Sequence, residues 1–147
     1  MPVLVRHLES IVGSERDVRA ETWSSRRLLL RGDGRGYSLH DTVMRAGSET
    51  TMWYRHHVES VYCVGGEGEL VDLEQGRTYP LNPGTLYVLD GHERHRVRAR
   101  SELRLICVFT PACTGAEVHD ADGVYPLPED TEGADPPGAQ TERGARP

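Results

Sequence analysis

Three ionisable side chains of this 147-residue chain share a predicted apolar interior: Glu59, Tyr87 and His95. Period-two geometry sets Glu59 on one strand face with Val61 and Cys63, Tyr87 with Leu89, and His95 with Val97. An ionised carboxylate without a partner is costly in such surroundings, so Glu59 must be paired, protonated or ligated. Carboxylate, phenolate and imidazole together make an O,O,N donor set, which suits a hard or borderline first-row metal: Fe(II) or Mn(II), with zinc a further option. Spacing alone leaves a second reading open, in which Tyr87 is a core tyrosine and His95 a hydrogen-bonded core histidine. His57 falls in strand register with Glu59. Neighbouring strand residues point to opposite faces, so at most one of His56 and His57 enters the interior, and a surface histidine pair is the alternative. Glu117 and His119 lie two apart and face the same way in an extended segment; taken alone, such a pair is more often solvated surface.

These residues need a scaffold of short strands. Apolar runs at Val58–Val64, Glu67–Leu73, Thr78–Leu81 and Leu86–Leu89 are punctuated by Gly65-Gly66, Gln75-Gly76 and Pro83-Gly84, the pattern of a small antiparallel barrel or sandwich. Upstream, Val3–Arg6 reads as a first strand. Ser14 followed by Asp17 reads as a capping box opening a short helix to about Thr22. Leu28-Leu29-Leu30 and Tyr37–Met44 read as strands joined through a tight turn at Asp33-Gly34. Downstream, Arg94 to Arg100 alternates most cleanly, with four arginines on a solvated face and His95, Val97 and Ala99 inward. Leu103–Phe109 is the last core strand, with Leu103, Leu105, Cys107 and Phe109 on one face. The Gly65-Gly66-Glu67-Gly68 run lacks the helix and Lys-Ser/Thr of a phosphate loop, so it reads as a hairpin turn. Thr114–Leu127 retains Val118, Val124 and Tyr125 and is expected to dock on the barrel. From Pro128 onward, seven of twenty residues are Gly or Pro and the apolar ones are alanines, so residues 128–147 are expected to be a disordered tail to a single domain over 1–127.

Composition narrows the class. A net charge of −6 and the lack of a free-standing basic block argue against a nucleic-acid binder. The start, MPVLVRHLES, has a four-residue apolar run before Arg6, which predicts neither a signal peptide nor a membrane span. Cys63, Cys107 and Cys113 are odd in number and form no CxxC, so they read as reduced thiols of a cytoplasmic protein.

The glycine frame resembles the two motifs of the cupin barrel. Gly47, Glu59 and Gly66 hold their places in the first, with Trp53 and Arg55 where histidines usually stand. Gly76 and Gly84 hold theirs in the second, with Tyr87 in the histidine place. The resemblance implies a mainly all-β, cupin-type small barrel or jelly-roll sandwich with one short N-terminal helix. More specifically, VRAETWSSRRLLL, GYSLHDT, TMWYRHHVESVYCV, GEGELVDLEQGRTYPLNPGTLYVLD, LRLICVFTP and TGAEVHDADGVYPL resemble the L-ectoine synthase family over Val3 to Leu127. That family implies a hydro-lyase that closes N-γ-acetyl-L-2,4-diaminobutyrate to the cyclic amidine ectoine with loss of water, generally as a head-to-tail homodimer and with iron. Carried over by position, the Fe(II) ligands fall on Glu59, Tyr87 and His95. Substrate-pocket positions fall on Trp23, Arg27, Thr42, Tyr54, His57, Leu89, Cys107, Phe109, Glu117 and His119, with proton transfers assigned among Glu117, His119, Tyr54 and His57. Gly65 and the 91–94 turn depart from the family's usual residues. Two other functions fit a cupin with altered ligands: another metal-dependent enzyme such as a small-molecule dioxygenase, and a non-catalytic metabolite sensor.

Overall fold

Side-chain alternation decides where the strands lie. In the computed structural model, which describes residues 2–54, 56–91 and 93–115, most central strands bury alternate residues while the edge strands bury few. The elements run α1 (Leu8–Ile11), β1 (Asp17–Arg19), β2 (Trp23–Leu29), a 3₁₀ turn (Arg31–Asp33), β3 (Ser38–Met44), β4 (Glu49–Trp53) and β5 (Val58–Gly65). They continue with β6 (Gly68–Asp72), β7 (Arg77–Leu81), β8 (Leu86–Leu89), β9 (Arg94–Ala99) and β10 (Leu103–Thr110). A six-stranded sheet in the order β1-β2-β3-β10-β5-β8 faces a four-stranded sheet in the order β4-β9-β6-β7. Every pairing is antiparallel. The core lies between the sheets, from Trp23 and Leu30 through Val61, Leu81 and Val97 to Leu103 and Phe109.

Two strands behave as their alternation predicts. On β9, His95, Val97 and Ala99 are buried while Arg94 is exposed and Arg96 and Arg98 are half-buried. On β10, Leu103, Leu105, Cys107 and Phe109 are buried in strict alternation. All three cysteines are buried, and none forms a disulfide among the described residues.

The N-terminal region differs from its sequence reading. No strand forms over 3–6, and Arg6 instead donates to the Leu28 carbonyl (2.6 Å) and to Asp33 (3.1 Å). The short helix sits at Leu8–Ile11, with His7 Nδ1 accepting from the Glu9 amide, and not at 14–22. Ser14 and Asp17 do make cap-like bonds, to the Arg16 and Gly13 amides. The chain nevertheless extends from Asp17, because Asp17–Arg19 gains a ladder with Arg26, Ser25 and Ser24, and Val18 packs on the core. Local capping loses to sheet pairing.

The glycine run after β5 also differs. It is not a hairpin, since β5 and β6 belong to different sheets. Gly66 has φ +86°, and a Cβ there would sit 2.0 Å from the Glu102 carbonyl oxygen. A Cβ on Gly68 would sit 2.0 Å from the Arg98 oxygen. The chain changes sheets here by passing against two backbones, which only glycine permits. Residues 116–147, including the expected tail, lie outside the described residues, as do Met1, Arg55 and His92.

Asp33 ties the N-terminal region down. Its carboxylate accepts from Arg6, Arg16 and the Leu30 amide (3.1, 3.1 and 2.9 Å). The hydrogen bond from Arg6, helped by the Leu30 amide and Arg16, holds its pKa well below the usual carboxylate range against the opposing effect of burial. A depressed folded-state pKa stabilises above the unfolded value of about 4 and loses that effect as pH falls. Asp33→Asn should therefore cost roughly 1–3 kcal/mol at pH 7, measured by urea unfolding, and the gap to wild type should narrow steadily below about pH 4. A pH-independent gap would contradict the ion-pair account.

Candidate active site

Register sets rows of side chains across the inner face of the six-stranded sheet, because directly opposed residues share a face. One row runs Arg27, His40, Cys107, Val61, Tyr87. A second runs Ser38, Phe109, Glu59, Leu89, and a third Ser25, Thr42, Leu105, Cys63. Tyr54, just beyond β4, and His95, on β9, close the arrangement from the opposite sheet. Of the residues expected at the site, Trp23, Thr42, Tyr54, Glu59, Tyr87, Cys107 and Phe109 line one inner cavity. Trp23, Arg27, Tyr54, His57, Glu59, Leu89, His95, Cys107 and Phe109 are buried, and Thr42 and Tyr87 are half-buried. Glu117 and His119 lie outside the described residues.

Phe109 is the hub of the aromatic packing. Its ring stands edge-on to Tyr54 (5.2 Å between centroids) and to His57 (5.6 Å), and tilted against His40 (4.9 Å). Tyr54 also meets His95 at 5.7 Å, and His95 meets Tyr87 at 6.4 Å. Trp53, half-buried at the end of β4, lies beneath the Arg94 guanidinium, 4.5 Å from its ring centroid.

Burial disfavours the charged forms of Glu59, Tyr87, His95 and Cys107. Burial pushes the Glu59 carboxyl up to about 8, opposed by a hydrogen bond from Cys107. Burial pushes His95 down to about 4, opposed by the Glu93 carbonyl and by Asp72. Tyr87 is raised by burial and then by Glu59, and Cys107 likewise. His57 Nδ1 lies 2.9 Å from the Pro111 carbonyl, and His95 Nδ1 lies 3.3 Å from that of Glu93. A carbonyl only accepts, so each ring carries its proton on Nδ1 and turns Nε2 to the interior as the acceptor.

Glu59 Oε1 and His95 Nε2 are buried with no hydrogen-bond partner among the described residues. Such atoms ask for an explanation. Among the described residues, no three His, Cys, Asp or Glu side chains stand close enough to hold a metal ion. A metal site here must recruit another ligand type, and Tyr87 lines the inner cavity with Glu59 and stands 6.4 Å, ring to ring, from His95. The O,O,N set fits a hard or borderline cation.

Two cavities reach this cluster. The inner one, lined by Glu59, Tyr87, Cys107, Phe109 and Trp23 among others, has about 30 Å³ of free space, enough for a water or two. A wider groove of about 530 Å³ opens between edge strands β7 and β8, with Tyr87 and the buried His95 in its lining. Tyr87 is common to both.

Sequence reasoning passed over two buried polar residues, His40 and Ser25. Each lies two positions before a residue singled out, Thr42 and Arg27. Strand alternation from those neighbours would have placed both inward. Arg27 was expected to lead into a strand; it sits inside one, fully buried, donating to Ser25 Oγ (3.3 Å) and to the Gly115 carbonyl (2.9 Å).

A two-sheet antiparallel barrel enclosing a buried polar cluster is the cupin architecture. The cupin domain of Schizosaccharomyces pombe Cnp3 shares it, with a TM-score of 0.53 at 12% identity over 63% of this chain and 66% of that one. A likeness at that identity shows the fold alone. Finer likeness follows. The chain belongs to the ectoine synthase family, whose model matches residues 3–129. It is 50% identical to the L-ectoine synthase of Halalkalibacterium halodurans over 123 residues, 84% of this chain and 95% of that protein. It also resembles the crystal structure of ectoine synthase from P. lautus, at 55% identity and a TM-score of 0.75, over 78% of this chain and 82% of that one.

Truncating the aromatic hub tests this packing. Phe109→Ala should cost roughly 3–5 kcal/mol, the usual penalty for emptying a buried aromatic site. Chemical denaturation would report it, and an unmoved midpoint would mean the ring does not bridge the two sheets.

Proposed function

We propose that the protein is an L-ectoine synthase that closes N-γ-acetyl-L-2,4-diaminobutyrate to the cyclic amidine ectoine, with Fe(II) held by Glu59, Tyr87 and His95. The observation that carries the reading is the orphaned pair of buried atoms, Glu59 Oε1 and His95 Nε2, together with Tyr87 in a chain of this family. When bound, the metal would act as a Lewis acid on the amide carbonyl oxygen. The family reading also carries a head-to-tail homodimer and a cytoplasmic location. Exposed Tyr62, Leu86 and Val88, on the outer side of β5 and edge strand β8, support an association surface. No helix among the described residues is long and apolar enough to cross a membrane.

The reaction forms one carbon–nitrogen bond and breaks one carbon–oxygen bond, the oxygen leaving as water with two protons. The attacking amine must be neutral, so a base is required, and water loss then requires an acid. Glu117, His119, Tyr54 and His57 are the proton carriers in this scheme, Glu117 the principal one. The fixed Nδ1 proton of His57 makes its Nε2 a standing acceptor for an amine proton. Arg27 holds the substrate carboxylate, while Trp23, Leu89, Cys107 and Phe109 form walls that hold the chain bent and Thr42 adds a polar contact. Nucleophile and electrophile belong to one molecule, so conformer selection alone lowers much of the barrier. The inner cavity is smaller than the substrate, so entry parts its walls.

The decisive measurement is a proton NMR time course of anaerobically reconstituted Fe(II) protein with N-γ-acetyl-L-2,4-diaminobutyrate, beside a chelator-treated control. Metal-dependent formation of the cyclic amidine is expected. Tight, stoichiometric iron without turnover would move the chain to another cupin activity or to a sensor. Glu59→Ala should lose both iron and turnover, and retained iron with normal activity would remove Glu59 from the ligand set. Glu117→Gln should keep the metal yet lower kcat by roughly 10²–10⁴-fold, the usual worth of a positioned acid–base group.

A further inference from the structure

We propose that His40 is a substrate-binding residue that donates its Nε2–H to the carboxylate of the bound amino-acid substrate, its tautomer locked by a hydrogen-bond chain from Arg27 through Ser25. The inference rests on the ring-closure reading above and adds to it a residue and an orientation.

The tautomer follows from donor and acceptor chemistry. Arg27 Nε can only donate, so Ser25 Oγ accepts from it at 3.3 Å. The Ser25 hydroxyl has no other acceptor among the described residues, so donating its proton to His40 Nδ1, 3.2 Å away, is the arrangement that satisfies all three groups, and it leaves that nitrogen bare. The ring is neutral, because burial and the neighbouring Arg27 charge both oppose a second proton. Its one proton is therefore on Nε2. That atom is buried and has no hydrogen-bond partner among the described residues, although the side chain is 1% exposed and lines the inner cavity. Buried donors are rarely left so; an acceptor arriving with a ligand accounts for this one.

The row of side chains says which acceptor. His40 stands between Arg27 and Cys107, one strand from each. Arg27 supplies a fixed positive charge at this end, whereas Glu59 and Tyr87 make the other end rich in acceptor oxygens. A carboxylate is attracted to the first end. A neutral imidazole N–H adds a directed hydrogen bond without adding a second buried charge, whose desolvation would be costly. The substrate is thus oriented with its carboxylate at β2–β3 and its acetamido group toward Tyr87.

The test uses the full-length protein and two compounds: N-γ-acetyl-L-2,4-diaminobutyrate, and N-acetyl-1,3-diaminopropane, which lacks only the carboxylate. Histidine ¹⁵N NMR of the metal-free protein should show His40 protonated on Nε2 alone. That resonance should move on adding the acid and stay fixed with the analogue. Ser25→Ala should release the lock, giving a mixture of tautomers and a raised KM with a smaller change in kcat. In the iron-loaded protein, His40→Leu should raise KM for the acid by about tenfold or more, the scale of a lost hydrogen bond to a charged group. It should leave KM for the analogue within about twofold, and His40→Gln, which restores an N–H donor, should recover most of the loss. A proton on Nδ1, a doubly protonated ring, or equal losses for both compounds would overturn the proposal. Turnover by wild type without the NMR response removes His40 and keeps the ring-closure reading. The NMR response without turnover keeps His40 as a carboxylate donor and removes that reading.

Discussion

The site depends on the register of β10 between β3 and β5. Opposed pairs such as Cys107 with His40, and Phe109 with Glu59, put side chains from separate parts of the chain onto one inner face. A strand slipped by one residue would turn its whole set outward and place Arg104, Ile106 and Val108 against the core. The β10–β5 ladder absorbs one irregularity, at Arg104/Leu105, where it shifts to meet Gly65. The glycines that follow let the chain change sheets within a few residues, so β6 and β9 can close over the same face. Position of the chemistry and closure of the barrel are one geometric problem.

The interior that results is unusually polar for a core of this size. Glu59, Tyr87, His95, His57, His40 and Arg27 all enter it. The enclosing apolar side chains are what make these groups specific, because low polarity disfavours charged forms and fixes single tautomers where water would average them. Backbone carbonyls at Pro111 and Glu93 choose the protonated nitrogen of two imidazoles, and Ser25 chooses it for the third. The consequence is a pocket with built-in polarity: donors and positive charge toward β2–β3, acceptors toward β8 and β9.

Charge elsewhere serves the frame. On the outer face of the same sheet, Asp41 accepts from Arg26 and Arg104 across β2, β3 and β10. Together with the Asp33 cluster, it fastens the strands that carry Arg27 and His40. These pairs are local in space and remote in sequence. They stiffen the edge of the sheet farthest from β8, where the exposed apolar residues gather.

Much of this could be read directly from the chain. Strict alternation in Arg94–Arg100 and Leu103–Phe109 assigned inward faces correctly, since period-two geometry is a property of each strand alone. Glu59, Tyr87, His95 and His57 were legible for the same reason. The family resemblance marked Arg27, Thr42 and Phe109 without requiring a fold. Other features needed the tertiary structure. Residues 14–22 carry a capping signal that the sheet overrides, because ladder bonds and the packing of Val18 outweigh a local cap. The Gly65–Gly68 run looks like a hairpin until Glu102 and Arg98, far along the chain, are seen pressed against it. The tautomer of His40 is the clearest case. Ser25 and His40 are fifteen residues apart, and nothing in either stretch says they touch; only strand pairing brings them together, and only burial makes the choice of proton permanent.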